Sequence, residues 1–377
     1  MFHINSLGKG GAERVVSLLS NEFAKNDTEV VIATEWYSDE EYELDKRVKR
    51  VHAGLSESDE KASRIAKQWI RIRNLRKVIL EEKPDVVISF CVKANYRAMM
   101  ATTSTNIPVI VSVRNDPKID YVGRANNMMN KLFMNKAAGC VFQTQEAKEF
   151  FDEVLQEKSR IICNPVNEKY LQAERKAAKK KIVCVGRLVS QKNQMLLVNA
   201  FENILQRHED YELYLYGDGS DDECKEELLT YVNGSRLLKN HIHFMGLSST
   251  LEKDMADAAM FVLPSNYEGM PNALMEAMAL GLPVISTDCP CGGSRYWIEP
   301  GITGQLVPVK NVKSMAQAIE YYITNPEEAE NMGKKARQRL QEATLDKVYE
   351  QWKQYIIQVL EKQETEFYYP RDNSWEQ

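Results

Sequence analysis

The sequence predicts an α/β protein with two doubly wound, parallel-sheet domains. Short, continuously apolar segments alternate along the chain with segments of helical periodicity. Strands that are apolar on both faces are typical of parallel sheets covered by helices on either side. The series of strands occurs twice, and the 377 residues are enough for two domains of ordinary size.

The apolar runs place the strands in order. In the first half, after a short first strand, they are predicted at residues 30–34, 86–90, 109–113 and 139–142. In the second half they are predicted at residues 181–185, 212–216, 241–245, 260–263 and 284–287. The segments between them carry helical periodicity, most clearly at residues 193–206 and 314–323.

The domain boundary is predicted at Asn164-Pro165, a turn signal that a charged run follows. We therefore expect an N-terminal domain at 1–165, a second domain at 166–344, and a final helix and tail at 345–377. That helix is predicted over 345–362, with an apolar stripe of Val348, Trp352, Ile356 and Leu360. Because such sheets bind ligands at the carboxyl ends of their strands, two facing domains would form a ligand cleft.

Composition excludes several classes of protein. The net charge of −5 argues against a strongly basic nucleic-acid binder, so we expect no nucleic-acid partner. No apolar run reaches the ~18 residues of a membrane span, and the first residues lack the pattern of a signal peptide. The seven cysteines are scattered, which is typical of reduced thiols in a cytoplasmic protein. The single C-x-C pair, Cys289 and Cys291, is a poor zinc signature.

Two strand-to-helix loops have the residues of phosphate-binding sites. In the segment 8–14, Gly10 and Gly11 would let the backbone approach a phosphate at a helix start. A tight strand-to-helix turn explains the same residues equally well. In the loop at 186–193, Arg187 and Lys192 would clamp a diphosphate, although loop charges are more often simply solvated.

The most informative segment runs from Tyr267 to Ile285 and carries Glu268 and Glu276 on either side of a predicted helix start. Pro271 suits the first turn of that helix because the turn does not need its amide. The next backbone amides are then directed at a phosphate, while the two carboxylates accept from sugar hydroxyls. The residues predicted to surround such a ligand also include Gly269, Met270, Asn272, Ala273 and Leu274.

Three of these motifs resemble a known family. The signatures G-G-A-E-R-V, G-R-L-x-x-x-K-N and E-G-M-P-N-A-L-M-E, with A-L-G-L-P-V-I after the last, look like those of the retaining family 4 glycosyltransferases of GT-B fold. The resemblance implies a bacterial enzyme of polysaccharide biosynthesis that uses a nucleotide-sugar donor, most often a UDP-sugar, and a saccharide or lipid-linked acceptor. It implies that the donor binds to the C-terminal domain and the acceptor to the N-terminal domain.

The resemblance also implies roles for individual residues. Glu268 would contact the donor sugar, Glu276 the ribose hydroxyls, and Arg187 and Lys192 the diphosphate. Gly10 and Gly11 would line a loop that closes over the donor. Transfer on the face from which the phosphate leaves needs no protein nucleophile, so charge stabilisation would dominate catalysis. We expect neither a metal ion nor a cofactor, and we interpret the acidic run 218–222 as a loop and helix cap.

Two departures from the family pattern limit what the resemblance implies. Many members carry a histidine after a strand of the N-terminal domain, where this chain has Arg114, Asn115 and Asp116. We expect these three residues to shape the acceptor side, with a helix cap or turn ahead of Pro117 as the alternative. Relatives often have an acidic residue near Tyr296, and its absence leaves the donor sugar undefined.

A predicted helix near residue 70 raises the question of membrane contact. Its apolar residues share one stripe, and basic residues lie around them: Ala62, Ile65, Trp69, Ile72 and Ile79, with Arg64, Lys67, Arg71, Arg73, Arg76 and Lys77. Such a helix either lies on an anionic membrane, here the inner face of the plasma membrane, or packs on the core with a solvated basic face. The second arrangement is the more common one.

Two other functions compete with glycosyl transfer. A catalytically weak subunit that binds nucleotide sugar is suggested by the missing histidine, although the glutamates and the Arg187/Lys192 loop argue against it. A nicotinamide oxidoreductase would have the same fold class but lacks the dinucleotide fingerprint. The donor sugar, the acceptor and the linkage are left open by the sequence.

Overall fold

The computed structural model describes residues 1–8, 10–219 and 223–368, and in these it shows two compact units. The N-terminal unit consists of Met1–Pro165 together with the helix that begins at Leu345, and the C-terminal unit is Val166–Thr344. The tail and part of the acidic run at 218–222 lie outside the described residues.

The N-terminal unit is built on a parallel sheet. Among the described residues it has seven strands in the spatial order β3-β2-β1-β4-β5-β6-β7. Their bounds are β1 Phe2–His3, β2 Val31–Thr34, β3 Lys49–His52, β4 Val87–Phe90, β5 Val109–Ser112, β6 Gly139–Phe142 and β7 Ser159–Ile161. Its helices are α1 Gly11–Lys25, α2 Arg64–Glu82, α3 Val92–Ala101, α4 Pro117–Asp120, α5 Arg124–Leu132, α6 Gln145–Glu149 and α7 Glu153–Glu157, and the last helix of the chain, α17 Leu345–Tyr368.

The C-terminal unit repeats this architecture. In its described part, six parallel strands follow the order β10-β9-β8-β11-β12-β13. Their bounds are β8 Lys181–Val185, β9 Glu212–Tyr216, β10 Ile242–Gly246, β11 Met260–Leu263, β12 Val284–Thr287 and β13 Gln305–Val307. Its helices are α8 Glu168–Gln172, α9 Gln194–Leu205, α10 Glu223–Gly234, α11 Arg236–His241, α12 Leu251–Asp254, α13 Asn272–Ala279, α14 Gly293–Trp297, α15 Val312–Thr324 and α16 Pro326–Arg339.

The predicted fold class is confirmed, because each unit is a doubly wound parallel sheet. In both sheets the strand order reverses once, between β1 and β4 and between β8 and β11. Ligands of such sheets bind outside the carboxyl ends of the strands at this reversal. The loops after β8 and β11 are those that carry Lys192 and Glu268.

Three strands were not predicted, and all are at or near the edges of the sheets. β3 and β7 are the outermost strands of the first sheet, and β13 of the second. None of the residues of β3 and β7 is fully buried, and only Val307 of β13 is. An edge strand has a neighbour on one side, so its sequence lacks the continuous apolar run by which central strands are recognised.

The helix α17 packs on the N-terminal unit. Its Tyr349 ring meets that of Phe23 at 4.8 Å, and Trp352, fully buried, stacks on Phe90 at 5.7 Å. The Tyr355 hydroxyl accepts a hydrogen bond from the Cys140 amide at 2.8 Å.

The predicted apolar stripe of α17 was partly wrong. Val348, Trp352, Tyr355 and Val359 are buried, whereas Ile356 and Leu360 are only partly so. The buried face of the helix is therefore rotated toward Tyr355, whose hydroxyl forms hydrogen bonds with the sheet, and away from the neighbouring Ile356.

The apolar stripe predicted on α2 divides into two parts. Toward the end of the helix, Leu75 and Ile79 are buried. Near its beginning, Ile65 and Trp69 are 74% and 64% exposed. A helix packed on the core explains the second half of the stripe but not the first.

Candidate functional site

Two loops at the strand reversal of the C-terminal unit are connected by hydrogen bonds and together form one wall of the candidate site. The first follows β8 and the second follows β11. The Asn266 amide donates to the Gln191 carbonyl at 2.8 Å, and the Asn266 side chain donates to the Ser190 carbonyl at 2.8 Å. Asn193 donates to the Asn266 side chain at 3.0 Å. These bonds fix the relative position of two loops that are far apart in sequence.

An ion pair forms the centre of this wall. Lys192 Nζ lies 2.6 Å from Glu268 Oε1, and the Ser265 hydroxyl donates to the same oxygen at 2.6 Å. The Glu268 side chain is 7% exposed and that of Lys192 16%. Two residues that the sequence predicted to act on different parts of a ligand therefore contact each other.

The two cysteine thiols near this pair are unreactive at neutral pH. Burial raises the pKa of both Cys184 and Cys289 to about 12, and Lys192 only partly opposes this. Cys289 also donates to the Ser265 carbonyl at 3.4 Å. Neither thiol is a nucleophile at neutral pH, since the thiolate is the reactive form.

Arg187 lies in the same loop but is exposed. Within the described parts of the chain, no acidic side chain forms an ion pair with it. Its backbone carbonyl is held by Gln194 Nε2 at 2.9 Å, so the loop is fixed while the guanidinium extends into solvent. Of the two predicted cations, Lys192 is thus pre-positioned by a carboxylate, and Arg187 is free to turn toward a ligand.

The helix α13 begins at Asn272, and Pro271 is its N-cap residue rather than part of the first turn. This corrects the predicted position of the proline by one residue. The first intrahelical bond runs from the Met275 amide to the Pro271 carbonyl, so the Ala273 and Leu274 amides precede the helical hydrogen bonds. Such a helix start attracts anions through its amides and dipole.

The remaining predicted donor residues of this unit lie around the same helix start. Glu276 is in the second turn of α13 and is 4% exposed, and Met270 is 5% exposed. Gly269 lies in the turn before the helix. A side chain on Gly293 would overlap the Gly269 carbonyl oxygen, so the start of α14 rests directly on this turn. Gly293 was not predicted as a site residue, although the Gly292-Gly293 pair is a signal for close backbone approach.

The predicted site residues of the N-terminal unit lie at two strand ends. Gly10 is the N-cap residue of α1 and Gly11 its first residue, after β1. Arg114, Asn115 and Asp116 follow β5. Asp116 caps α4 by accepting from the Lys118 amide at 2.9 Å, which is the alternative structural role for this residue.

Arg114 is held by neighbours that carry no charge. It donates to Asn164 Oδ1 at 2.5 Å and to the Ser112 hydroxyl at 3.2 Å, and it lies over the Phe90 ring at 4.9 Å. Burial lowers the pKa of its guanidinium to about 10, which leaves it charged at neutral pH. Asn115 donates to the Asp120 carboxylate at 3.2 Å.

Neither a metal centre nor a membrane span is found in the part of the chain that the structure describes. No three His, Cys, Asp or Glu side chains there are grouped to hold a metal ion. None of the described helices is long and apolar enough to cross a bilayer.

The two doubly wound, parallel-sheet units have the architecture of the GT-B glycosyltransferases. Comparison with family models agrees with this class. Residues 9–170 match the model "Glycosyltransferase Family 4", and residues 166–339 match "Glycosyl transferases group 1". The two models together span most of the chain, which therefore carries a glycosyltransferase family 4 domain followed by a group 1 glycosyltransferase domain.

Several similar proteins are glycosyltransferases by name. An uncharacterized glycosyltransferase of Methanocaldococcus jannaschii is 29% identical over 59% of this chain and 60% of its own length. The "GalNAc-alpha-(1->4)-GalNAc-alpha-(1->3)-diNAcBac-PP-undecaprenol alpha-1,4-N-acetyl-D-galactosaminyltransferase" of Campylobacter jejuni is 24% identical over 95% of this chain and 98% of its own. Among solved structures, Anabaena HepE in complex with UDP-glucose has a TM-score of 0.78 at 16% identity, over 95% of this chain and 98% of that one.

Proposed function

We propose that the protein is a retaining glycosyltransferase that moves a hexose or N-acetylhexosamine from a UDP-sugar to a saccharide or lipid-linked acceptor in the synthesis of a bacterial cell-surface polysaccharide, such as a capsule or exopolysaccharide. The observation that carries the proposal is the buried Lys192–Glu268 pair at the strand reversal, beside the start of α13. A cation, a helix N-terminus and a carboxylate at one place suit a ligand with both phosphates and hydroxyls.

The relatives support the choice of donor and acceptor. HepE structures are in complex with UDP and with UDP-glucose. The names of two Campylobacter jejuni relatives specify diphospho-undecaprenol-linked acceptors, and that of a Staphylococcus aureus relative specifies poly(ribitol-phosphate). We infer a UDP-sugar and an acceptor that carries phosphate.

The geometry suggests how binding and catalysis are linked. Glu268 is the partner of the Lys192 ammonium. A bound diphosphate would compete for that ammonium, and the exposed Arg187 would turn toward the same phosphates. The Glu268 carboxylate would then accept from sugar hydroxyls, while Glu276 would accept from the ribose. Donor binding thereby exchanges one protein ion pair for two contacts with the ligand.

The transfer itself needs charge stabilisation more than a nucleophile. The bond between the anomeric carbon and the phosphate oxygen breaks as the acceptor oxygen attacks from the same face, and the acceptor proton passes to the departing phosphate. The Lys192 and Arg187 cations and the start of α13 would stabilise the negative charge of the UDP leaving group. This arrangement would make a metal ion unnecessary.

The direct test is the anomeric configuration of the product. Transfer from a UDP-sugar in EDTA should give a product with the anomeric configuration of the donor, as read by the proton coupling constant in NMR. Inversion, or dependence on added metal, would contradict the mechanism. UDP affinity without transfer to any acceptor pool, and without donor hydrolysis, would favour the alternative of a catalytically weak nucleotide-sugar-binding subunit.

We also propose peripheral contact with the inner face of the plasma membrane through the beginning of α2. The exposed Ile65 and Trp69 lie there, with Arg64 beside them. Apolar side chains flanked by cations are typical of helices that lie on anionic lipid. Flotation with phosphatidylglycerol vesicles should recover the protein at low salt, and Trp69→Ser should reduce recovery several-fold. No flotation of the unmodified protein at low salt would remove this proposal.

A further inference from the structure

A buried ion cluster lies at the carboxyl end of the N-terminal sheet. Glu35 follows β2 and is 4% exposed. Its carboxylate forms an ion pair with Arg97 of α3, and Arg71 of α2 approaches its other oxygen with Nε at 3.1 Å. One carboxylate therefore neutralises only one of two arginines. The motifs in the sequence did not indicate this cluster, because its members come from three separate elements.

Arg97 donates to three acceptors inside the protein. Its guanidinium donates to Glu35, to Asn5 Oδ1 at 3.1 Å and to Gln68 Oε1 at 3.1 Å. Its side chain is 7% exposed. A guanidinium with this many protein acceptors has a positioning role, since little of it is left for a ligand.

Arg71 differs from Arg97 in both respects. Its Nε and the facing Glu35 oxygen do not meet with hydrogen-bond geometry. No described residue accepts a hydrogen bond from its two terminal nitrogens, which carry four N–H donors. Its side chain is 19% exposed, so these donors are within reach of a ligand.

A third cation belongs to the cluster. Lys93 lies one turn before Arg97 on α3, on the same face, and is exposed. Its charge acts on the Glu35 carboxylate. None of the acidic side chains described in the structure forms an ion pair with Lys93. Burial raises the pKa of Glu35 even though Arg97, Arg71 and Lys93 oppose the shift, which shows how strongly this carboxylate is shielded from water.

We propose that Arg71 and Lys93 bind a phosphate group of the acceptor. The proposal rests on the proposed function, in which the N-terminal unit takes the acceptor. Three cations and one carboxylate leave an excess of positive charge, which an anionic ligand would balance. Arg71 supplies a planar fork and Lys93 a mobile point charge, a combination that matches the several oxygens of a phosphate. The Glu35 carboxylate, which is itself paired with Arg97, attracts the Arg71 guanidinium and so positions it.

The position of the cluster agrees with this role. Glu35 follows β2, Asn5 follows β1 and α3 follows β4, so the cluster surrounds the strand reversal of the sheet. Doubly wound sheets bind their ligands outside the carboxyl ends of the strands at this reversal.

Calorimetric titration of pyrophosphate into the full chain tests the assignment. Saturating UDP is present throughout, so that the Lys192 loop is occupied. Arg71→Gln and Lys93→Gln should each weaken pyrophosphate binding at least 10-fold. Arg124→Gln and Lys131→Gln, which remove the same charges from exposed positions of α5 in the same unit, should stay within twofold. Equal effects in all four variants, or no pyrophosphate binding, would overturn the proposal.

Further arms identify the ligand. Tighter binding of glucuronate than of pyrophosphate would overturn the choice of phosphate. Loss of phosphatidylglycerol vesicle binding in both cluster variants would place the phosphate on a lipid surface, and unchanged vesicle binding would place it on the acceptor in solution. If Arg71→Gln does not fold, the exposed Lys93→Gln still decides the result. If UDP itself does not bind, the proposed function fails, and the pyrophosphate titration is repeated on Lys192→Met.

Discussion

The Lys192–Glu268 pair allows a quantitative test of the candidate site. Lys192→Met removes the cation from a carboxylate that is 7% exposed and leaves it with the Ser265 hydroxyl. Stranding a buried charge in this way should cost about 3 kcal/mol. Glu268→Gln should cost less, about 2 kcal/mol, because the lysine is 16% exposed and its flexible stem can reach water.

The double variant separates the pair from its surroundings. With both charges removed, no unpaired ion remains, and the loss should be about 2 kcal/mol rather than the sum of the single losses. The coupling energy is then about 3 kcal/mol, at the upper end of the range for residues in contact. Each kcal/mol should lower the melting temperature of a unit of this size by roughly 2–4 °C.

The assay is urea unfolding of the three variants, followed by a fluorescence or circular dichroism signal. Lys180→Met is the matched control, because it removes a lysine from an exposed pair with Asp210 in the same unit. That change should leave the free energy of unfolding nearly unchanged, because an exposed ion pair contributes little to stability. Additive losses, or a Lys192→Met loss no larger than that of the control, would refute the argument that the pair is a buried, pre-positioned element of the site.

Three further predictions concern other parts of the molecule. His3 is buried, and burial lowers its pKa to about 4 from 6.5, so stability should fall as the pH drops from 6.5 toward 4. From pH 7.5 to pH 5 the His3 contribution to this loss is roughly 2 kcal/mol in urea unfolding, so His3→Gln should lose about that much less than the unmodified protein, whereas an equal loss in that variant would assign the slope to other groups. Gly293→Ala should weaken UDP binding at least 10-fold in calorimetry, because the added carbon displaces the turn before α13. Gly234→Ala is the control, since its added carbon meets nothing within 4 Å, and it should leave binding unchanged. Equal binding in both variants would show that the turn adapts to the added carbon. Tyr355→Phe should destabilise the protein by about 0.5–1.5 kcal/mol in thermal unfolding by removing the hydrogen bonds between the hydroxyl and the Cys140 backbone, and no loss would mean that water replaces the hydroxyl.

The fold class was predictable because parallel strands covered on both faces appear in the sequence as short, continuous apolar runs. Nearly all the central strands lie within one residue of the predicted positions, and the missed strands are edge strands with mixed side chains. The pattern on α17 gave the helix but shifted its buried face, since a polar hydroxyl such as that of Tyr355 does not count as apolar in a periodicity.

The candidate site was predictable only as a set of residues. The loop at Arg187 and Lys192 was placed where the structure has it, and the helix start at Asn272 lies one residue after its predicted position. The sequence could not show that Lys192 would pair with Glu268, because the side chains meet only through the neighbouring positions of β8 and β11 in the sheet.

The sequence by itself determined the two doubly wound sheets, the family and the residues around the proposed donor site, because each depends on short-range patterns of apolar, glycine and charged residues. Only the tertiary structure decided which charges meet. It joined Lys192 to Glu268, left Arg187 in solvent, and gathered Glu35, Arg71 and Arg97 at the edge of the N-terminal sheet. The physical reason is that strand order, and not chain order, sets which loops are neighbours, and ion pairs form between neighbours in space.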